Sequence, residues 1–265
     1  MLRYWRIAVI LALALTGLST VALACGGGGE GSAEDRQEVE DTVRTLAGYG
    51  AEDVDAFLEG VTDNVLENFF CFTREECKDN AQQCVVDPSE SPSLANTKVS
   101  GDTATTEGTF SFDGDEETFL LSLVRVDGKW KLDALKNVPK EIPGGVKKVD
   151  LELNEFAFGF NASEITDGNF AFVAKNIGKQ NHQVVVFKVL EGVDLKEALQ
   201  SEEEVPGFAE IAFAGPFPPD DEGTVVFDQP LQPGRYGLAC FIADREDPDR
   251  TPHAFKGMIA EFTID

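Results

Sequence analysis

The chain is poor in the residues that most metal and acid–base chemistry uses. Its 265 positions hold two histidines and, besides the start residue, one methionine. Basic residues are scarce as well, with 22 Lys and Arg against 48 Asp and Glu and a formal charge of -26. That balance argues against nucleic-acid binding, which needs clustered Lys and Arg against phosphate. The acidity reads first as a soluble, self-repelling surface and second as a surface that attracts basic partners. Beyond residues 7–24 no stretch is long and apolar enough to span a membrane. No carboxylate pair sits in a context that suggests acid–base work, so an enzyme is not expected.

The N-terminus reads as targeting rather than fold. MLRYWR carries Arg3 and Arg6, and the apolar run IAVILALALTGLSTVALA follows to Ala24. Residues 1–24 therefore have the n-region and h-region of a signal peptide. Ala22 and Ala24 satisfy the small-x-small rule of ordinary cleavage, which would give a secreted protein. Cys25, directly after a small residue, resembles the acylated cysteine of a bacterial lipoprotein box, with Ala22 where that box usually has Leu. GGGGEGSAED follows, so residues 25–34 read as a flexible Gly-rich tether. The lipid-anchored reading leads, secretion is the alternative, and a retained transmembrane anchor comes third. Each puts the folded part in the cell envelope outside the cytoplasm, where disulfides persist.

Cysteine parity pulls two ways. With Cys25 lipidated, Cys71, Cys77, Cys84 and Cys240 remain. Two disulfides would consume Cys240, whereas a ligand role for Cys240 leaves one cysteine odd. Cys77 and Cys84 are a candidate disulfide if the chain turns back between them. Seven steps along a straight helix would separate their Cα atoms by roughly 10 Å, beyond reach. Lys78, Asp79 and Asn80 suit such a turn. Pairings of Cys71 with Cys77 or Cys84 stay open.

Two fold patterns follow one another. Residues 35–70 have apolar steps of three and four, as in Val39, Val43 and Leu46, and predict helices. DPSESPSLANTKVSGD reads as a polar loop. TATTEGTFSF, ETFLLSLVRV and KWKLDAL then read as strands, joined by turns at Asp113-Gly114 and Asp127-Gly128. NVPKEIPGGVKK marks a boundary. Beyond it DLELNEFAFGF, FAFVAKN, HQVVVFKVL, AEIAFAG, GTVVFDQ, GRYGLACFI and FKGMIAEFTI predict strands, with one helix inserted at VDLKEALQSEEE. Two domains result: an N-terminal α+β cone, helices packed on an antiparallel meander, and a C-terminal all-β Greek-key sandwich. Asn161-Ala162-Ser163 is a glycosylation triplet that matters little in a bacterial protein.

Residues 35–138, through their order of elements and the DGKWKLDAL turn, resemble the nuclear-transport-factor-2-like (SnoaL-like) family. Enzymes of that family use a pocket His or Asp pair, and this half has no His. The resemblance therefore implies a ligand-binding, interaction or spacer module. Residues 146–265 resemble the cupredoxins, the plastocyanin and azurin class. The matching words are NEFAFGF, NIGKQNH, PGRYGLAC and HAFKGM. The resemblance implies one type 1 copper on His182, Cys240, His253 and Met258, and the acidic face would favour a redox partner with a basic face. A thiolate and two imidazoles suit both copper oxidation states, and a long axial thioether tunes the potential.

In the resembled proteins Cys and second His are a few residues apart. Here twelve residues separate Cys240 from His253, with Asp244, Glu246, Asp247 and Asp249 among them. A long loop costs little free energy to close, yet a short loop is what holds such ligands taut. The sequence leaves the site intact, loosened or a relic. Each ligand also has a structural reading: Cys240 as core thiol or disulfide partner, His182 in a turn, Met258 in core packing. Three function classes follow. They are an envelope-tethered electron carrier, a metal-free surface lipoprotein that binds a ligand or protein, and a copper storage or delivery protein.

Overall fold

The computed structural model describes residues 31–70, 72–85, 90–112, 115–201 and 208–265. The expected signal peptide, Cys25, Cys71 and the expected Asp113-Gly114 turn lie outside them. The chain divides into two compact units, the described residues as far as Lys136 and Asn137–Asp265.

The first unit begins with α1 (Ala33–Ala47), whose buried face is the predicted Val39, Val43 and Leu46. Its N-terminus carries a capping box: Ser32 accepts from Asp35 N, and Asp35 accepts from Ser32 N. Short helices follow, α2 (Val54–Glu59), α3 (Asp63–Val65), α4 (Arg74–Asp79) and α5 (Ala81–Cys84). The break at Asn80 (φ -126°, ψ 43°) turns the chain between α4 and α5. That turn brings the Cα atoms of Cys77 and Cys84 to 5.3 Å, and the two form a disulfide.

A four-stranded antiparallel meander completes the unit: β1 (Ser93–Ser100), β2 (Thr103–Phe112), β3 (Asp115–Val126) and β4 (Lys129–Asn137). β1 falls where the composition predicts a loop. Only Val99 of its eight residues is buried, so the strand has no apolar alternation to read and is held by its ladder to β2. The Asp127-Gly128 turn forms as expected, both residues with positive φ, 51° and 78°.

The second unit has two four-stranded sheets, in the orders β10-β7-β5-β6 and β12-β11-β8-β9. The strands are β5 (Lys147–Asn154), β6 (Ala157–Gly159), β7 (Phe170–Asn176), β8 (His182–Val189), β9 (Phe208–Phe217), β10 (Glu222–Val225), β11 (Gly234–Ala239) and β12 (Ile259–Ile264). One buried cluster draws on both sheets, including Leu151, Phe172, Val186, Leu238 and Phe262. The unit is thus a β-sandwich. α6 (Leu195–Gln200) is the inserted helix, shorter than predicted. DLELNEFAFGF is two strands rather than one. The chain reverses at Glu155 and β5 pairs back on β6, which places Glu155 at a turn.

Tyr236 ties β11 to the loop before it. It is buried, stacks on Phe262 at 5.3 Å, and donates its hydroxyl to Gln232 O at 2.6 Å. That bond fixes the start of the strand that leads to Cys240.

Candidate metal centre

Three of the four candidate ligands sit at strand ends in the second unit. His182 opens β8, Cys240 follows the last residue of β11, and Met258 directly precedes β12. His253 begins a short 3-10 helix, His253–Lys256. Gly257 ends that helix with φ 117°, a left-handed conformation that costs glycine little. The reversal lets Met258 N donate to His253 O at 2.9 Å. This accounts for the five-residue step from His253 to Met258.

The loop carrying His182 is shaped by Asn176. Its buried side chain donates to Gln180 O (2.7 Å) and Phe217 O (2.8 Å) and accepts from Gly178 N (2.8 Å). Gly215, with φ 122°, lets β9 pass close to this strand. A Cβ there would stand 3.0 Å from Gln183 Cα and 3.2 Å from His182 O.

The twelve residues between Cys240 and His253 do not loosen the site. His253 N donates to Ile242 O (2.9 Å), Ala254 N to Cys240 O (2.7 Å) and Asp244 N to Thr251 O (3.0 Å). Ala243 and Pro252 form an antiparallel bridge. The chain leaves and re-enters through one closed base, so the segment beyond it is an excursion. Two of its acidic residues, Asp244 and Asp247, are anchored. Asp244, buried, accepts from Gln180 Nε2 at 2.7 Å and pairs with Lys256, which also pairs with Asp247.

His182, Cys240 and His253 are all buried and converge. His182 Nδ1 lies 3.1 Å from His253 Nδ1. Cys240 Sγ lies 3.5 Å from His253 Nδ1 and 3.9 Å from His182 Nδ1. A triangle with these sides has a point about 2.0 Å from every corner. First-row metals bind imidazole nitrogen at about 2.0 Å and thiolate at about 2.3 Å. Cys240 shares no disulfide with another described cysteine, and Gln183 N donates to its Sγ at 3.4 Å. Met258 is wholly buried, and Cys240 N donates to its carbonyl at 3.3 Å.

Each imidazole turns its other nitrogen toward an oxygen. His182 Nε2 stands 3.4 Å from Glu155 Oε1, off-line for a full hydrogen bond and with no other polar partner among the described residues. His253 Nε2 stands 3.4 Å from Gln180 Oε1. That oxygen is identified by its neighbours, because Gln180 Nε2 donates to Asp244 and Oε1 accepts from Arg245 N at 2.9 Å. Carboxylate and amide oxygens only accept, so they favour the tautomers with the proton on Nε2. Both Nδ1 lone pairs then face each other and the thiol. Burial lowers the pKa of His182, and burial with His182 nearby lowers that of His253 to about 4. Both rings are neutral at pH 7, the state a metal requires.

Sequence reasoning missed Glu155, Gln180 and Asn176. The Asn-x-Gly word signals a turn at Asn176. Nothing in NEFAFGF or KQNH signals that Glu155 and Gln180 reach the histidines.

No family model matches the chain, and no curated protein does. Among solved structures it is similar to the crystal structure of McoA multicopper oxidase from the hyperthermophile Aquifex aeolicus. Identity is 14%, covering 57% of this chain and 41% of that one, with a TM-score of 0.25. This chain therefore spans about two fifths of that protein's length, and the reading of the centre rests on its own residues.

Proposed function

We propose that the second unit is a cupredoxin-type sandwich that holds one type 1 copper and carries single electrons. The observation behind this reading is the two Nδ1 atoms 3.1 Å apart beside the Cys240 sulfur. Without a cation or a shared proton they repel in a dry core. The residues fit the metal. His182, Cys240 and His253, with Met258, would hold it. The chemistry copper supplies in such a site is one-electron cycling between Cu(II) and Cu(I). Around it, the Gln183 amide stabilises the thiolate charge, Glu155 and Gln180 hold the imidazoles, and the buried setting excludes water. The four-residue set leaves no position for substrate, so the role is transfer rather than catalysis. The electron comes from a reduced carrier protein and goes to an oxidised one, a partner with a basic face suiting the acidic chain. A lipid on Cys25 and the Gly-rich tether would keep the protein at the envelope membrane. The first unit fits a nuclear-transport-factor-2-like module for interaction or spacing.

A metal-free binding role is the second reading. It draws on the same 3.1 Å, which is also a hydrogen-bond length once one Nδ1 carries a proton. The test is the visible spectrum of the full chain loaded with Cu(II), against Cys240→Ser. An intense thiolate-to-copper band that disappears in the variant supports the carrier. A colourless wild-type protein that loses its copper on desalting refutes it.

A further inference from the structure

The two histidines have unlike neighbours. His253 faces a neutral amide, Gln180, whereas His182 faces the carboxylate of Glu155 at 3.4 Å. That carboxylate is built in. Its Oε1 accepts from Lys179 N at 2.6 Å and Gln180 N at 2.8 Å, so the loop that delivers His182 wraps around it. Gly178 makes the room, because a Cβ there would stand 2.5 Å from Glu155 Oε1. Asn154 Oδ1 accepts from Glu155 N at 2.9 Å and steadies the turn.

We propose that Glu155 is a positioning residue that lowers the reduction potential of the copper centre by placing a fixed negative charge behind His182. The inference rests on the copper reading above. With one thiolate and two neutral imidazoles, the centre carries one positive charge as Cu(II) and none as Cu(I). A nearby anion stabilises the oxidised state, and a partly buried setting screens it less than water does. A carboxylate on the far nitrogen of a ligating imidazole also makes that ring a stronger donor. Both effects favour Cu(II).

The test measures the midpoint potential of the copper-loaded full chain by redox titration, following the thiolate-to-copper band. Glu155→Gln keeps an acceptor for the Lys179 and Gln180 amides and removes the charge. The variant is expected to keep the band and to shift the Cu(I)/Cu(II) ratio at fixed potential about tenfold toward Cu(I). For one electron that is a rise of 59 mV. Competition with chelators should show Cu(II) affinity falling by the same factor while Cu(I) affinity holds. An unmoved or lower potential overturns the proposal, and so does an equal loss of both affinities, the mark of a merely structural role. If Glu155→Gln does not fold, Gly178→Ala displaces the carboxylate without removing it and is expected to raise the potential, with no rise overturning the proposal. A wild-type chain without the band would sink the copper reading itself and this inference with it. An intact band with an unmoved potential sinks this inference alone.

Discussion

Replacing residues 245–250 by an Asn-Gly dipeptide should leave the candidate ligands where they are. The excursion is closed at its base by Asp244 N to Thr251 O, by the Ala243–Pro252 bridge and by His253 N to Ile242 O. Asn-Gly is the preferred two-residue connection for such an antiparallel pair. Shortening the loop from six residues to two lowers the entropy of closure by about 1 kcal/mol. Against this stands the loss of the hydrogen bond from Arg245 N to Gln180 Oε1, worth about 1 kcal/mol. The hydrogen bond from Glu246 N to Asp244 Oδ1 and the partly buried Lys256–Asp247 ion pair are lost too, and water screens much of their worth. The two larger contributions cancel, so urea unfolding of the metal-free chain should change by no more than about 1 kcal/mol. The thiolate-to-copper band should keep its position and intensity. A protein that no longer binds Cu(II), or binds it without the band, would show that the excursion itself holds His253 in place.

Tyr236→Phe removes the hydroxyl donated to Gln232 O while keeping the stack on Phe262, and thermal unfolding should register a loss of about 1 kcal/mol. Asp35 carries a linked pH dependence. Its pKa is lowered by hydrogen bonds to Ser32 and by Arg125, so its contribution is present above the unfolded carboxylate value near 4 and is lost as pH falls through the lower folded value. Asp35→Asn should flatten that part of the stability-against-pH curve, and an unchanged curve would refute the role.

What the sequence made legible follows from what is local. The Asp127-Gly128 turn, the α1 face of Val39, Val43 and Leu46, and the turn allowing Cys77 to meet Cys84 are all written in adjacent residues. The meeting of both histidines with Cys240 was legible because the chain has only two and both fall in words that fit one pattern. β1 was not, because a strand with one buried residue in eight has no period to read. Glu155 and Gln180 were not, because each meets its histidine across the sandwich end, 27 and 73 positions away by their residue numbers. The closed base of the excursion was hidden for the same reason: backbone bonds leave no mark on residue type.

A core that needed only stability would not be built this way. His182, Cys240 and His253 place two imidazoles and a thiol among Leu153, Val184 and Phe217, and a buried polar group without full partners costs about 1–3 kcal/mol. His182 Nε2 is one such group. Local choices that work against packing tend to fall at functional sites. A metal at the centre would offset the cost, because whatever binds only the folded state adds stability. Free Cu(II) at about a hundred times its dissociation constant should add about 2.7 kcal/mol to the unfolding free energy. The gain should vanish in Cys240→Ser, and equal stability of the wild-type chain with and without Cu(II) would mean that the cluster has been kept for something other than this metal.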